Sequence, residues 1–158
     1  ASADVGAGIH MATSGSNAVG YVRMRNSIAY GNTTGYDLYR TLPAGLIFTI
    51  YETDFRTEHE ISDGGGNMSL DPKFVSPAAG NFRLRVFPFP SPCIDAGEDS
   101  FLPKDFADVD EDLDEDEALP LDLDLEPRIH NYGGGFGSDF VDMGAYEVPA
   151  PSGPIRDE

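Results

Sequence analysis

Residues 21–55 read YVRMRNSIAYGNTTGYDLYRTLPAGLIFTIYETDF, and the pairing of strands within this stretch decides the fold. Two runs rich in β-branched and aromatic residues, YVRMRNSIAYGN from Tyr21 and LIFTIYETDF from Leu46, flank a turn and a short strand around Tyr36 to Tyr39. Val22 in the first run and Phe48 in the second are 26 positions apart, within the period of one coil of a parallel β-solenoid. An antiparallel sandwich, with short strands and turns about every ten residues, also fits this local pattern.

Outward from this stretch, composition favours strands and turns. Eighteen Gly and twelve Pro are many for 158 residues, and runs of strong helix formers are scarce. With 40% hydrophobic and 11% aromatic residues, the chain has enough apolar material for one domain with a core. No apolar run reaches membrane-spanning length. Cys93, the single cysteine, has no disulfide partner in the chain and reads as a small buried filler. The chain starts at Ala1 rather than Met, which suggests a processed product or a piece of something longer.

After the glycine turn at Gly64 to Gly66, five prolines between Pro72 and Pro92 cut the apolar residues into short pieces. Proline removes a backbone donor and fixes φ, so this segment is expected to run as an extended wrap with one short strand, Phe82 to Val86. Phe74, Phe82, Leu84, Phe87 and Phe89 are its expected core anchors. Beyond the acidic run, LPLDLDLEPRI alternates Leu121, Leu123 and Leu125 with acids, which places Asp122 and Asp124 on the wet face of an edge strand.

Charge is concentrated in one place. The formal net charge is -18, and between Asp95 and Glu126 fifteen acids face Lys104 alone. Within this stretch, residues 105–117, DFADVDEDLDEDE, hold nine carboxylates in thirteen positions. Like charges at such spacing repel by roughly 1 kcal/mol per pair even in water, so the run either stays solvated or gathers around a cation. The same charge repels phosphates, which argues against nucleic acid or an anionic membrane as partners.

Calcium takes about six to eight hard oxygen ligands, and alternating acids on a tight loop turn their side chains to one side. Asp108, Asp110, Asp112 and Asp114 have that spacing, and Glu117 can add a bidentate carboxylate, with Asp116 as a further ligand. The loop is not an EF-hand, since a start at Asp108 puts Leu113 where the glycine belongs and Leu119 where the bidentate Glu belongs. Magnesium demands a near-ideal octahedron, and His10, His59 and His130 are far apart and lack a cysteine partner for zinc.

Five motifs in order, NSIAYGN, GNMSLDPKFVSPAAGNFRL, SPCIDAG, DVDEDLDEDEALPLDLDLEPRI and VDMGAYE, resemble the C-terminal part of secreted bacterial surface proteins with pectin-lyase-like β-helices, those of the choice-of-anchor Q type. The resemblance spans about Arg25 to Glu147. It implies an all-β fold: a short right-handed parallel β-helix of one to three coils, a proline- and glycine-rich C-terminal wrap, the acidic calcium loop and a closing strand. The expected divisions are coils over 1–61, wrap over 62–104, acidic metal-binding loop over 105–118, closing strands over 119–148 and a flexible tail over 149–158. The chain departs from the pattern at Cys93, where alanine is usual, and at Glu111 and Leu113, where the loop usually has glycines.

The expected function is a non-catalytic, calcium-stabilised terminal domain of an extracellular or cell-surface structural or adhesive protein. Its expected partners are calcium and either further β-helix coils of a parent chain or copies of itself, with polysaccharide as a further candidate. A self-assembling filament subunit is one alternative, and part of a polysaccharide lyase-like enzyme is another. For the enzyme, the strands offer Arg23, Arg25, Glu52, Asp54 and Arg56, with Arg25 and Asp54 placed to meet on adjacent coils, where an ordinary ion pair explains them equally well. No serine-hydrolase, zinc-protease or phosphate-loop motif accompanies them.

Overall fold

The computed structural model describes residues 9–11, 20–32, 35–40, 46–59, 61–132 and 141–149. The glycine turn at residues 133–137 and the tail beyond residue 149 lie outside the described residues. The fold is mainly β. In chain order the first strands are β1 (Ile9–Met11), β2 (Gly20–Ala29), β3 (Leu38–Arg40), β4 (Leu46–Phe55), β5 (Glu58–His59) and β6 (Ser62–Asp63). They fall alternately into two sheets, ordered β1-β3-β5 and β2-β4-β6, and every pairing is parallel.

Val22 pairs with Phe48, and the same offset holds from Gly20 and Leu46 to Ala29 and Phe55. The 26-residue spacing in the sequence is thus the pairing register, and an antiparallel sandwich is excluded for these strands. β6 carries the second sheet past residue 61, and Asp54 bridges in parallel to Met68, so strand pairing extends into the segment expected to be wrap.

Phe48 and Ile50 point inward while Ile47 is exposed, as the two-residue period of a strand requires. At Glu52 the backbone enters the left-handed region with φ 43°, and at the equivalent place in β2 Asn26 does so with φ 44°. The ladder skips this pair, and beyond it Thr53 and Asp54 are both buried. Asparagine tolerates this conformation because its short side chain bonds locally. Here it bonds the wrap, with Asn26 Nδ2 donating to the Glu98 carbonyl at 3.0 Å and the Glu98 N–H donating to Asn26 Oδ1 at 2.9 Å.

A first apolar cluster joins Ala29, Leu38, Phe48 and Ile50, with Met24, Phe55 and Ile61 packed on it. Phe48 is 1% exposed, so Phe48→Ala is expected to cost about 3–5 kcal/mol in urea unfolding. Asp37, fully buried beside it, accepts bonds from the backbone N–H groups of Asn32, Arg56 and Thr57, each at 3.0 Å. Burial raises its pKa, but these bonds and that from the Asn32 side chain outweigh burial and hold it below the ordinary carboxylate value.

The wrap forms a second cluster of Leu84, Cys93, Ile94, Met143 and Val148. Its strands are β7 (Phe74–Ser76) and β8 (Asn81–Leu84), an antiparallel pair. Of the expected anchors, Leu84 is buried and Phe74 half-buried, whereas Phe82, Phe87 and Phe89 are exposed. The bends imposed by Pro88 and Pro90 keep Phe87 and Phe89 outside, and the core is filled instead by Cys93 and Ile94. Gly97 permits a close approach here: a Cβ would lie 2.9 Å from the Val141 carbonyl oxygen, which accepts the Gly97 N–H at 2.8 Å.

Two expectations for the C-terminal part are corrected. Residues 141–149 form no strand; their backbone is shared among several segments, with Met143 N–H bonding the Cys93 carbonyl and Gly144 N–H that of Asn26. Segment 119–132 contributes only an isolated bridge, Leu121 to Pro127. Its alternation also fails: Asp124 is exposed as expected, but Asp122 is buried while Leu123 and Leu125 are 65% and 73% exposed. The Asp122 carboxylate turns inward because it accepts the backbone N–H groups of Asp124, Glu126 and Glu147. Asp124 pairs with Arg83, whose guanidinium lies 4.6 Å from the Tyr146 ring centroid.

Candidate metal centre

The acidic run forms a loop closed at its neck. Lys104 bridges to Ala118, the Asp105 N–H bonds the Glu117 carbonyl at 3.0 Å, and the Leu119 N–H bonds the Pro103 carbonyl at 2.8 Å. Within the loop, short-range carboxylate bonds to backbone define the turns: Val109 N–H to Asp105 Oδ2, Leu113 N–H to Asp108 Oδ1, Asp114 N–H to Asp112 Oδ1 and Asp116 N–H to Asp114 Oδ1. Aspartate favours such turns.

Asp108, Glu111 and Leu113 adopt positive φ, at 48°, 62° and 73°. The glycines usual at the last two positions in the resembled loops suit that backbone, because an L side chain is strained there. Leu113 is 87% exposed, so its side chain contributes little packing. Leu113→Gly is expected to raise stability by up to about 1 kcal/mol in chemical denaturation.

Two groups of carboxylates converge, each with oxygens within 4.8 Å of one another: Asp105, Asp110 and Glu117 in one, and Asp108, Asp110 and Asp112 in the other. Asp110 is common to both. Asp114 and Asp116 stand outside them, and Asp116 is held by the Lys104 ammonium at 2.6 Å.

The first group has a property the second lacks. Asp105 is 1% exposed, and its Oδ1 is buried without a hydrogen-bond partner; Glu117 Oε1 is likewise buried and unpartnered. Leaving a buried carboxylate oxygen unpaired is costly. Burial, and then Asp112, Asp110, Asp114 and Asp105, push the Glu117 pKa upward. A hard cation between these carboxylates would answer both the missing partners and the repulsion, and three carboxylates offer up to six oxygens to it. The residues could therefore hold a metal ion. Asp105 is absent from the alternating set read in the sequence, since its distance from Asp110 and Glu117 along the chain follows no period; the neck of the loop brings it in.

The proposed meeting of Arg25 and Asp54 does not occur. Asp54 pairs in register with Ile28, is fully buried, and accepts the Leu70 N–H at 3.0 Å and the Cys93 thiol at 3.3 Å. Burial raises its pKa, and burial together with Asp54 pushes the Cys93 thiol out of the reactive range. The Arg25 guanidinium lies over the Tyr51 and Phe101 rings, 5.7 Å and 4.6 Å from their centroids.

A further group of acids missed in the sequence surrounds Arg128. Its Nη1 lies 3.1 Å from Glu147 Oε1, and its Nη2 donates to the Gly144 carbonyl at 2.7 Å. Asp142 accepts the N–H groups of Asp95 and Val148 and gives its own N–H to Glu147. Burial pushes Asp142 up to about 7; burial and Asp142 push Glu147 up to about 8. All three side chains are buried, Arg128 is paired with Glu147 and the Asp142 carboxylate is bonded to backbone N–H groups, an arrangement that fastens the segment around residues 142–148. Comparison of the chain with models of protein families, with curated proteins and with solved structures gives no match.

Proposed function

We propose that this chain is the calcium-stabilised end of a right-handed parallel β-helix, serving a structural or adhesive role in an extracellular or cell-surface protein of the choice-of-anchor Q type that its motifs resemble. The observation that carries the calcium part is the pair of buried, unpartnered oxygens on Asp105 and Glu117. The winding part is supported by sheet orders that each advance by every second strand, all in parallel; a chain circling in coils produces that order, and parallel crossovers are overwhelmingly right-handed.

Isothermal titration of the full chain with calcium tests the site. Binding is expected in the wild type and in Asp116→Asn, whose carboxylate is engaged by Lys104, and is expected to vanish in Asp105→Asn. Titration heats indifferent to Asp105→Asn would overturn the site, and tighter binding of magnesium would overturn the choice of ion.

One observation favours a second reading, a self-assembling filament subunit. Among the described residues, β1 and β2 are edge strands, and Ile9, Tyr21 and Val22 are exposed on them; such edges invite pairing with another strand. Electron microscopy separates the readings. Long polymers of the isolated chain favour the filament, and dispersed monomers favour an end that stacks on further coils of a parent chain.

A further inference from the structure

We propose a second binding site, independent of the acidic loop, for a carboxylate carried on an apolar, ring-sized body. A cavity of about 450 Å³ lies where β7 and β8 meet Tyr30, lined among others by Tyr30, Asp71, Lys73, Phe74, Phe82 and Arg85. Its volume falls within the range of small-molecule sites, about 300–1,000 Å³.

Arg85 is the residue that calls for a ligand. Its Nε is buried without a hydrogen-bond partner, and among the described residues no carboxylate or carbonyl meets its guanidinium. Other arginines of this acidic chain are engaged: Arg83 by Asp124, Arg128 by Glu147, and Arg56 by the Asn32 carbonyl. A guanidinium does not shed its proton, so it cannot escape the cost of an unpaired buried donor by becoming neutral. The side chain also lines the cavity, so an anion there would balance the guanidinium charge, and the planar fork of arginine matches a carboxylate.

Lys73 is fixed beside it, since the Arg85 N–H bonds the Lys73 carbonyl at 3.1 Å. The Lys73 ammonium donates to the Pro90 carbonyl at 2.8 Å, which leaves two of its protons for a ligand. Asp71 also lines the cavity, and its Oδ1 accepts the Lys73 N–H at 2.9 Å.

The remaining wall is aromatic. Phe74 and Phe82 meet edge to face at 5.4 Å, and Phe82 is 50% exposed. An inorganic anion would satisfy the cations and leave these rings in water, and a neutral hydrocarbon would cover the rings and leave Arg85 unpaired. A carboxylate on an apolar body does both. The end of a peptide closing on an aromatic residue and a free aromatic acid share this chemistry.

The test titrates the full chain with phenylacetate, acetate and 2-phenylethanol, read by chemical shifts of the Arg85 side chain and the aromatic rings. Phenylacetate is expected to bind at least tenfold more tightly than either fragment. Arg85→Gln and Phe82→Ala, each checked for retained calcium binding and native spectral dispersion, are each expected to weaken it at least tenfold. Phe82 is half exposed, so Phe82→Ala keeps the test available should Arg85→Gln fail to fold. Acetate binding as tightly as phenylacetate, or phenylacetate binding unchanged in the folded variants, overturns the proposal. N-acetylphenylalanine binding more tightly than phenylacetate assigns the site to a chain end, and the reverse order to a free acid; both orders support it.

Discussion

Excess EDTA added to the protein in millimolar calcium is expected to lower its stability by about 4 kcal/mol, the linkage contribution of a site whose dissociation constant lies about a thousandfold below the free ion. For a chain of this length that is a fall of roughly 10 °C in Tm. The physical source is the neck of the loop. With the ion gone, Asp105 Oδ1 and Glu117 Oε1 are buried without partners and repel Asp110 and each other. Calorimetry should show the loss in the wild type, and no effect of EDTA in Asp105→Asn, which begins without the ion. A wild-type Tm indifferent to EDTA would sink the claim that the ion is structural.

Removal of Arg128 is expected to have an effect of similar size, and one that depends on pH. Arg128→Met leaves Glu147 and Asp142 buried with no cation beside them, a cost that reaches about 3–5 kcal/mol only above pH 8, where both acids are ionised. In the wild type these acids are raised from their ordinary 4.5 and 3.8 to about 8 and about 7. Between about pH 4 and pH 8 the folded state therefore holds more protons than the unfolded state. Their contribution to stability is full below the unfolded values and is lost as pH rises through 7 and 8. Asp37 acts in the opposite direction: its pKa is lowered, so its contribution is present above 3.8 and is lost as pH falls through its folded value. Stability should accordingly be greatest in mildly acidic solution, between the Asp37 transition and the Asp142 and Glu147 transitions. In Arg128→Met the decline towards pH 8 should be steeper, since the missing cation raises both acids further, and the variant should approach the wild type at pH 5. Urea titrations at pH 5, 6.5 and 8 measure this, and a loss equal at all three would show that Arg128 acts through packing alone.

The interval between the paired strands was readable because it is periodic, although their parallel direction was not, since the same pattern fits an antiparallel sandwich. Val22 and Phe48 carry the same apolar role one interval apart, and their register is that interval. Nothing in a repeat of side chains announces where a strand kinks, so the left-handed places at Asn26 and Glu52, where the wrap docks, were not visible. The alternation of Leu121, Leu123 and Leu125 misled for a related reason: periodicity predicts a face only when a neighbouring strand enforces the pleat, and here the Asp122 carboxylate is drawn in by three backbone N–H groups instead.

By itself, then, the sequence determined the predominance of strands, the 26-residue interval between the paired strands and the location of the unbalanced charge. Each of these is a local property, carried by residue type and interval. The tertiary structure decided which carboxylates meet: Asp105 joins Asp110 and Glu117 at the loop neck, while Asp114 and Asp116 turn away. It also decided which buried atoms of charged side chains lack a hydrogen-bond partner among the described residues, including Asp105 Oδ1, Glu117 Oε1 and Arg85 Nε. Burial and convergence depend on how distant segments close on one another, and a charge becomes a binding site only when that closure removes water without supplying a partner.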